Sequence, residues 1–322
     1  MAIFVNDLGD VDNMFELRSD GTDKFVTPKR RALPSSPQQD VYTIPFYKTT
    51  RPVGGHLVSD SIVAALHTVP ETHGVHSFHG HFISFGDTNE PVTYSVTRLR
   101  DGQNFSCRWV KADQAASGTI FAAQLSLCLM KNGASNFPQH NLTAMPSCPM
   151  PEELNDLIVE YDSLLNGGTL TPDQRAKLLM RRQMLDSSRF ERRPVNINNW
   201  LSWIPTPPKR LFWIKALLEP ASDPRWHHLA AAYQSDVLTA DVPRQPYRVS
   251  HTQGLPISLD HSIWIHDFDF DIATKWMLIE LESSIALNGR ALVTAKLWTS
   301  DGRHVMTVTQ EAILRMKPPP SP

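Results

Sequence analysis

The sequence predicts an α+β fold made of two tandem units, each a buried helix followed by an antiparallel meander. Three observations lead there. Residues 75–130, beginning VHSFHGHFISFG, are echoed at 259–315, beginning LDHSIWIHDFDF, with His76-Ser77 aligning with His261-Ser262 and Gln124 with Gln310. Those pairs lie 185 and 186 residues apart, so the echo reads as a duplicated unit held in register to one residue. At 322 residues the chain exceeds what one hydrophobic core ordinarily fills, and at about 100–200 residues per domain it calls for two. Each half contains a helical apolar pattern and continues with β-branched, alternating segments split by turn residues. Two copies with different side chains at matching places imply that one kept chemistry and the other kept architecture.

A strand is expected near 13–18, followed over 28–45 (PKRRALPSSPQQDVYTIP) by a proline-rich, polar surface loop. After Gly54-Gly55 comes HLVSDSIVAALHTV, where Leu57, Ile62, Ala65, Leu66 and Val69 recur at helical spacing and predict a central buried helix. Strand-like segments follow at 76–85, 92–99, 105–112 and 119–129, divided by turns at Gly86-Asp87, Asp101-Gly102 and Ser117-Gly118. Residues 131–190 break the pattern and read as a connector. They hold an amphipathic helix from about 151 to 165 and a second helix opening at Thr171-Pro172-Asp173, whose proline suits a first helical turn. The second unit repeats the scheme with strands near 192–203 and 210–217, a helix through WHHLAAAYQSDVL, and strands at about 257–267, 275–283, 289–299 and 303–315. Asn288-Gly289 and Asp301-Gly302 supply hairpin turns. The expected division is 1–130 for the first unit, 131–190 for the connector, 191–317 for the second unit and 318–322 for a disordered tail. A long helix wrapped by an antiparallel meander is the hot-dog arrangement, and two in tandem make a double hot dog.

Composition narrows the function. Apolar content of 41% and charged content of 20% are those of an ordinary globular protein, and a formal charge of −2 gives no whole-chain field that would gather nucleic acid. An anionic ligand must then be held by a local basic patch; Lys29-Arg30-Arg31, Arg98, Arg100, Arg108 and Lys111 are candidates, each weighed against the plain reading of a solvated charge. Arg181-Arg182 and Arg192-Arg193 are further basic candidates in the same sense. Cys107, Cys128 and Cys148 are too few and too scattered for a disulfide framework or a zinc site and read as free thiols in a reducing compartment. No run approaches the ~20 apolar residues that span a bilayer, and the acidic start MAIFVNDLGDVDN is unlike a secretory signal. The expected setting is intracellular, cytoplasmic or peroxisomal, although KPPPSP is not an address of the Ser-Lys-Leu type.

The segments HSFHGHFISFGDTNEPVTYSVTRLRDGQNFSCRWV, SLDHSIWIHDFDF and SDGRHVMTVTQEAILR resemble the acyl-CoA thioesterase II, or TesB-like, family, over about residues 50–316 and most weakly in the connector. The resemblance implies a double hot-dog fold and hydrolysis of fatty acyl-CoA by a water held between an aspartate, a hydroxyl residue and a glutamine, all from the second unit. Asp236, in Ser235-Asp236-Val237 after a helix, takes the aspartate position, where the family pattern is Ser-Asp-Leu. Ser258, two residues before Asp260-His261, takes the hydroxyl position, where threonine is common. Gln310, in Gln310-Glu311-Ala312, takes the glutamine position, with alanine replacing the family's glycine. No cofactor or metal is expected, the expected partner is an acyl-CoA or related acyl thioester, and the hot-dog sheets offer a surface for a homo-oligomer.

These residue types make chemical sense without the family. Thioester hydrolysis needs a water in line with the carbonyl, an acceptor for its proton and donors for the oxyanion. Asp236 can accept, Ser258 can relay or orient, and the Gln310 amide can donate and accept at once. Oxyanion donors are expected on backbone N–H groups at the start of the second unit's helix or on a neighbouring strand. Taken singly, an aspartate near a helix end is usually a cap, and Ser258 and Gln310 are ordinary strand residues, so the signal lies in the trio. His79-Gly80-His81 puts two imidazoles on one strand face as some zinc sites do, yet no third ligand accompanies them at useful spacing. Asp260 beside His261 points to the opposite strand face and reads as an acceptor for backbone. The tryptophans Trp200, Trp203, Trp213, Trp264, Trp276 and Trp298 read as core or tunnel lining. Two alternatives stand beside acyl-CoA hydrolysis: a thioesterase for a polyketide or other secondary-metabolite thioester, and an acyl-thioester binding module that does not hydrolyse.

Overall fold

A computed structural model describes residues 15–27, 54–130, 138–185, 188–220, 222–237, 239–247 and 256–316. The loop expected over 28–45, with Lys29-Arg30-Arg31, and the tail expected at 318–322 lie outside the described residues.

The first half comprises β1 (Arg18–Ser19), β2 (Lys24–Val26), α1 (Gly54–Leu66), β3 (His73–Phe82), β4 (Thr93–Arg100), β5 (Phe105–Gln114) and β6 (Gly118–Leu129). The second half carries α2 (Leu157–Asn166), α3 (Pro172–Leu185), β7 (Phe190–Pro194), α4 (Ile197–Leu201), β8 (Lys209–Ala216), α5 (Arg225–Asp236), β9 (Ile257–Ser258), β10 (Asp260–Ile265), β11 (Met277–Leu287), β12 (Arg290–Thr299) and β13 (His304–Ile313). The strands form one antiparallel sheet in the order β1-β2-β4-β5-β6-β3-β10-β13-β12-β11-β8-β7, with β9 added on β13. The two halves meet where β3 pairs with β10, Phe78 lying opposite Ile263. The architecture is the double hot dog.

Each half wraps its sheet around a helix that is buried on every side. In α1 every residue from Leu57 to Leu66 is buried, Ser59, Asp60 and Ser61 along with the apolar side chains, and α5 buries Arg225, His228, Gln234 and Ser235 beside Trp226, Leu229 and its alanines. The buried Ser61 hydroxyl of α1 returns a hydrogen bond to the Leu57 carbonyl at 2.7 Å. The alternation of β5, with Ser106, Arg108, Val110 and Ala112 buried and Phe105, Trp109 and Lys111 exposed, matches one covered face. Arg108 on that inner face donates to the Thr68 hydroxyl at 2.7 Å, to the carbonyls of Thr68, Arg100 and Cys107, and to Asp101, tying the end of α1 to the β4–β5 hairpin. Arg98 pairs with Asp23 at 2.7 and 2.9 Å. Both arginines are thereby tied into the fold. Asn288 and Gly289, at φ of 52° and 73°, make the type I′ turn between β11 and β12.

The structure corrects three expectations. The strand expected near 13–18 is the short β1 at Arg18–Ser19, paired with β2. The strand expected over 192–203 ends at Pro194, and 197–201 is helical, because the Asn196 side chain accepts from the N–H groups of Asn198 and Asn199 and caps a turn of helix. The duplication is present, but its residue register differs. Leu125 of β6 lies between Arg108 and Phe78. Gln310 of β13 lies between Val293 and, one step beyond the Ser262–Thr309 pair, His261. Gln310 thus matches buried Leu125, and His261 matches buried Phe78, whereas Gln124 sits on the exposed face and His76 is half-buried against Ser126 at 2.8 Å. A one-residue slip turns a strand residue to the other face; the bulges at Ala112/Asp113 and Leu297/Trp298 occupy equivalent places in the two copies and keep the same offset as the Leu125–Gln310 match.

Candidate active site

Asp236 is the last residue of α5, where the chain turns extended at Val237 (φ −66°, ψ 121°). The Ser235 hydroxyl, 2.7 Å from the Ala232 carbonyl, and the Thr239 hydroxyl, which donates to the Ser235 carbonyl at 2.5 Å, hold this end in place. Ser258 ends β9 opposite Ala312 of β13, so Gln310, two residues along and on the same face, comes within its reach. The Gln310 amide donates to Asp236 Oδ1 at 3.2 Å and to Ser258 Oγ at 2.5 Å. The structure thus brings all three residues expected from sequence into one hydrogen-bonded group drawn from α5, β9 and β13.

Asp236 experiences opposed influences. Burial among packed side chains raises its carboxyl from the ordinary 3.8 to about 6, while hydrogen bonds from Gln310 and from the backbone of Gly55 pull it back down. The helix ends act on it with opposite signs: it closes α5, whose C-terminus disfavours negative charge, and faces the N-terminus of α1, which favours it. Gln310 itself is fully buried, and its carbonyl lies 3.2 Å from Nδ1 of His261. Nε2 of His261 lies 2.8 Å from Ser235 Oγ. Burial drives the His261 value down to about 4, so the ring is neutral at physiological pH.

Sequence reasoning missed two parts of this arrangement. One is the neighbour of Asp236: the helix whose first turn abuts it is α1 of the first unit. A Cβ on Gly54 would lie 2.6 Å from Asp236 Oδ2, and a Cβ on Gly55 would lie 2.5 Å from the Tyr233 carbonyl oxygen, so only glycines allow α1 and α5 to approach this closely. The Gly54-Gly55 pair ahead of an apolar helix was the available signal. The other part is His261, which the adjacent Asp260 overshadowed. Asp260 accepts from the Glu311 N–H at 2.7 Å, the backbone role expected for it. His79 meets Ser262 at 3.1 Å and the edge of Trp264, and among the described residues no cluster of histidine, cysteine, aspartate or glutamate has a metal-binding arrangement. No helix among the described residues is long and apolar enough to cross a membrane.

Comparison with known proteins shows the family. Residues 45–128 match the acyl-CoA thioesterase N-terminal domain and residues 170–314 the acyl-CoA thioesterase C-terminal domain. The chain is 36% identical over 267 residues to acyl-coenzyme A thioesterase 8 of Homo sapiens, spanning 82% of this chain and 81% of that protein. It is 31% identical over 266 residues to acyl-CoA thioesterase 2 of Haemophilus influenzae, spanning 81% and 87%. Among solved structures, the acyl-CoA thioesterase II TesB2 from Mycobacterium marinum superposes with a TM-score of 0.68 at 26% identity, over 96% of this chain and 98% of that one.

Proposed function

The chain belongs to the acyl-CoA thioesterase family, and from that premise we propose that it hydrolyses acyl-CoA with a water held between Asp236, Ser258 and Gln310. The reading is carried by one observation, the Gln310 amide that donates at once to Asp236 and Ser258 and leaves a carboxylate and a hydroxyl oxygen side by side. A water bound there has an acceptor for its proton and a second oxygen to orient it.

In the proposed reaction the Asp236 carboxylate removes a proton from the water as its oxygen attacks the thioester carbon. Negative charge moves to the carbonyl oxygen, and the first turn of α1 is the candidate to receive it, because its N–H groups have no partners within the helix and its dipole favours an anion. Gly55 of that turn already donates to Asp236. Collapse of the tetrahedral intermediate breaks the carbon–sulfur bond, and the proton held by Asp236 leaves with the coenzyme A thiol. A thiolate is a good leaving group, so a carboxylate base with no covalent intermediate suffices.

The test is thiol release from a panel of acyl-CoA chain lengths. Asp236→Ala is expected to lower the rate at least about a hundredfold, the ordinary contribution of a positioned general base. Full activity in both Asp236→Ala and Gln310→Ala would show that the water is held elsewhere.

A further inference from the structure

The hydrogen bonds continue behind the three residues, and the count of protons along them is restrictive. Both Gln310 amide protons are used, one on Asp236 and one on Ser258, so Oε1 is the side turned to His261. His261 must then carry its proton on Nδ1. A neutral imidazole has one N–H, which leaves Nε2 as an acceptor facing Ser235 Oγ at 2.8 Å. The Ser235 hydroxyl has a single proton and two acceptors in reach, Nε2 of His261 and the Ala232 carbonyl at 2.7 Å. Donation to His261 completes a chain in which every proton points toward Asp236.

We propose that His261 and Ser235 are positioning residues that lock the Gln310 amide with its N–H groups toward Asp236 and Ser258. The proposal deepens the catalytic reading above and rests on it. His261 and Gln310 are both fully buried, so neither has solvent as a substitute partner. Without a donor at the Nδ1 place, only the Asp236 and Ser258 end of the network still favours one orientation of the amide. Turned over, it sets its carbonyl against the Asp236 carboxylate, which holds Asp236 protonated to higher pH and removes the base. The first unit shows what the fold requires here without chemistry: the equivalent ladder positions hold Phe78 and Leu125, so packing alone does not call for a histidine and a glutamine. Among the described residues, titratable side chains on the elements packed about the Asp236 carboxylate include His261 behind Gln310, and His56 and Tyr233, whose rings meet at 4.9 Å beside the α1–α5 contact.

The experiment follows thiol release from decanoyl-CoA by the full chain between about pH 5 and pH 9, a range that brackets the acid limb of a carboxylate base. His261→Phe is expected to lower kcat at least about tenfold with KM within about twofold, and to move the acid limb upward by about one pH unit. His261→Asn, whose amide N–H can stand at the Nδ1 place, is expected to recover most of kcat and return the limb. Ser235→Ala should move the limb in the same upward direction by a smaller amount. Folding of each variant is followed by circular dichroism, and if His261→Phe does not fold, Ser235→Ala and His261→Asn decide: wild-type limbs and kcat in both overturn the proposal. It is also overturned if folded His261→Phe matches the wild type, or if the Phe and Asn variants lose activity equally with an unmoved limb. Asp236→Asn runs alongside as control. Full turnover in that variant defeats the catalytic reading and this proposal together, whereas an inactive Asp236→Asn beside an unaffected His261→Phe defeats the positioning role alone.

Discussion

The proposed reaction needs Asp236 charged, in a place where the surrounding protein resists charge. Its folded-state value of about 6 lies above the ordinary 3.8, and desolvation is the largest cause. For a carboxyl shifted this way the folded state binds the proton more tightly than the unfolded chain does. The resulting stability is complete below about pH 3.8 and is lost as pH rises through about 6, so the ionised form is the less stable fold. Two outcomes follow at the residue scale. Thiol release should climb as pH passes upward through about 6, read from kcat/KM against pH. Asp236→Asn should raise the thermal midpoint at pH 8, where it removes a buried charge, and leave it unchanged at pH 4, where the wild type is already protonated, while abolishing turnover at both. A lowered midpoint at pH 8 would mean that the ionised carboxylate stabilises this end of α5.

At the scale of elements, the N-terminus of α1 is the piece that the second half cannot supply, and two adjacent glycines there play separable parts. A methyl at Gly55 would meet the Tyr233 carbonyl oxygen at 2.5 Å, and because that atom is backbone the helices must part. Gly55→Ala is expected to cost about 1–3 kcal/mol of stability, as overpacking does, together with most of the activity. A methyl at Gly54 would instead meet the end of the Asp236 side chain at 2.6 Å, which can swing away. Gly54→Ala should therefore keep the wild-type unfolding midpoint in urea while losing kcat; equal losses of stability in the two variants would contradict this division. The pair also shows what sequence could and could not disclose. The helix was readable from Leu57, Ile62, Ala65 and Leu66, whose spacing already predicted burial. That its first turn abuts a carboxylate some 180 residues away follows only from the crossing of α1 and α5. The same limit applies to α4, where a single asparagine cap outweighed a strand-like stretch, and to the repeat, where only the strand pairing shows that Gln310 stands opposite His261 as Leu125 stands opposite Phe78. The three polar residues were readable because each sits in a short local motif.

For the whole molecule, duplication has divided the labour between copies that are equal in topology. The ladder position that holds Gln310 in one half holds Leu125 in the other, and His261 is matched by Phe78, all four fully buried. A leucine and a phenylalanine offer no group to a water, so the first half cannot assemble the same chemistry. What it contributes is the end of α1, delivered across the β3–β10 seam to the carboxylate of the second half. On the proposed mechanism neither half is a complete catalyst, and the chain should behave as a single site despite its internal symmetry. A thioether analogue of acyl-CoA, which lacks the carbonyl and cannot be hydrolysed, is expected to titrate to one equivalent per chain in calorimetry and to inhibit thiol release competitively. Two equivalents of similar affinity would show that the first half has kept a pocket of its own, and would place the division between the copies in catalysis alone rather than in binding.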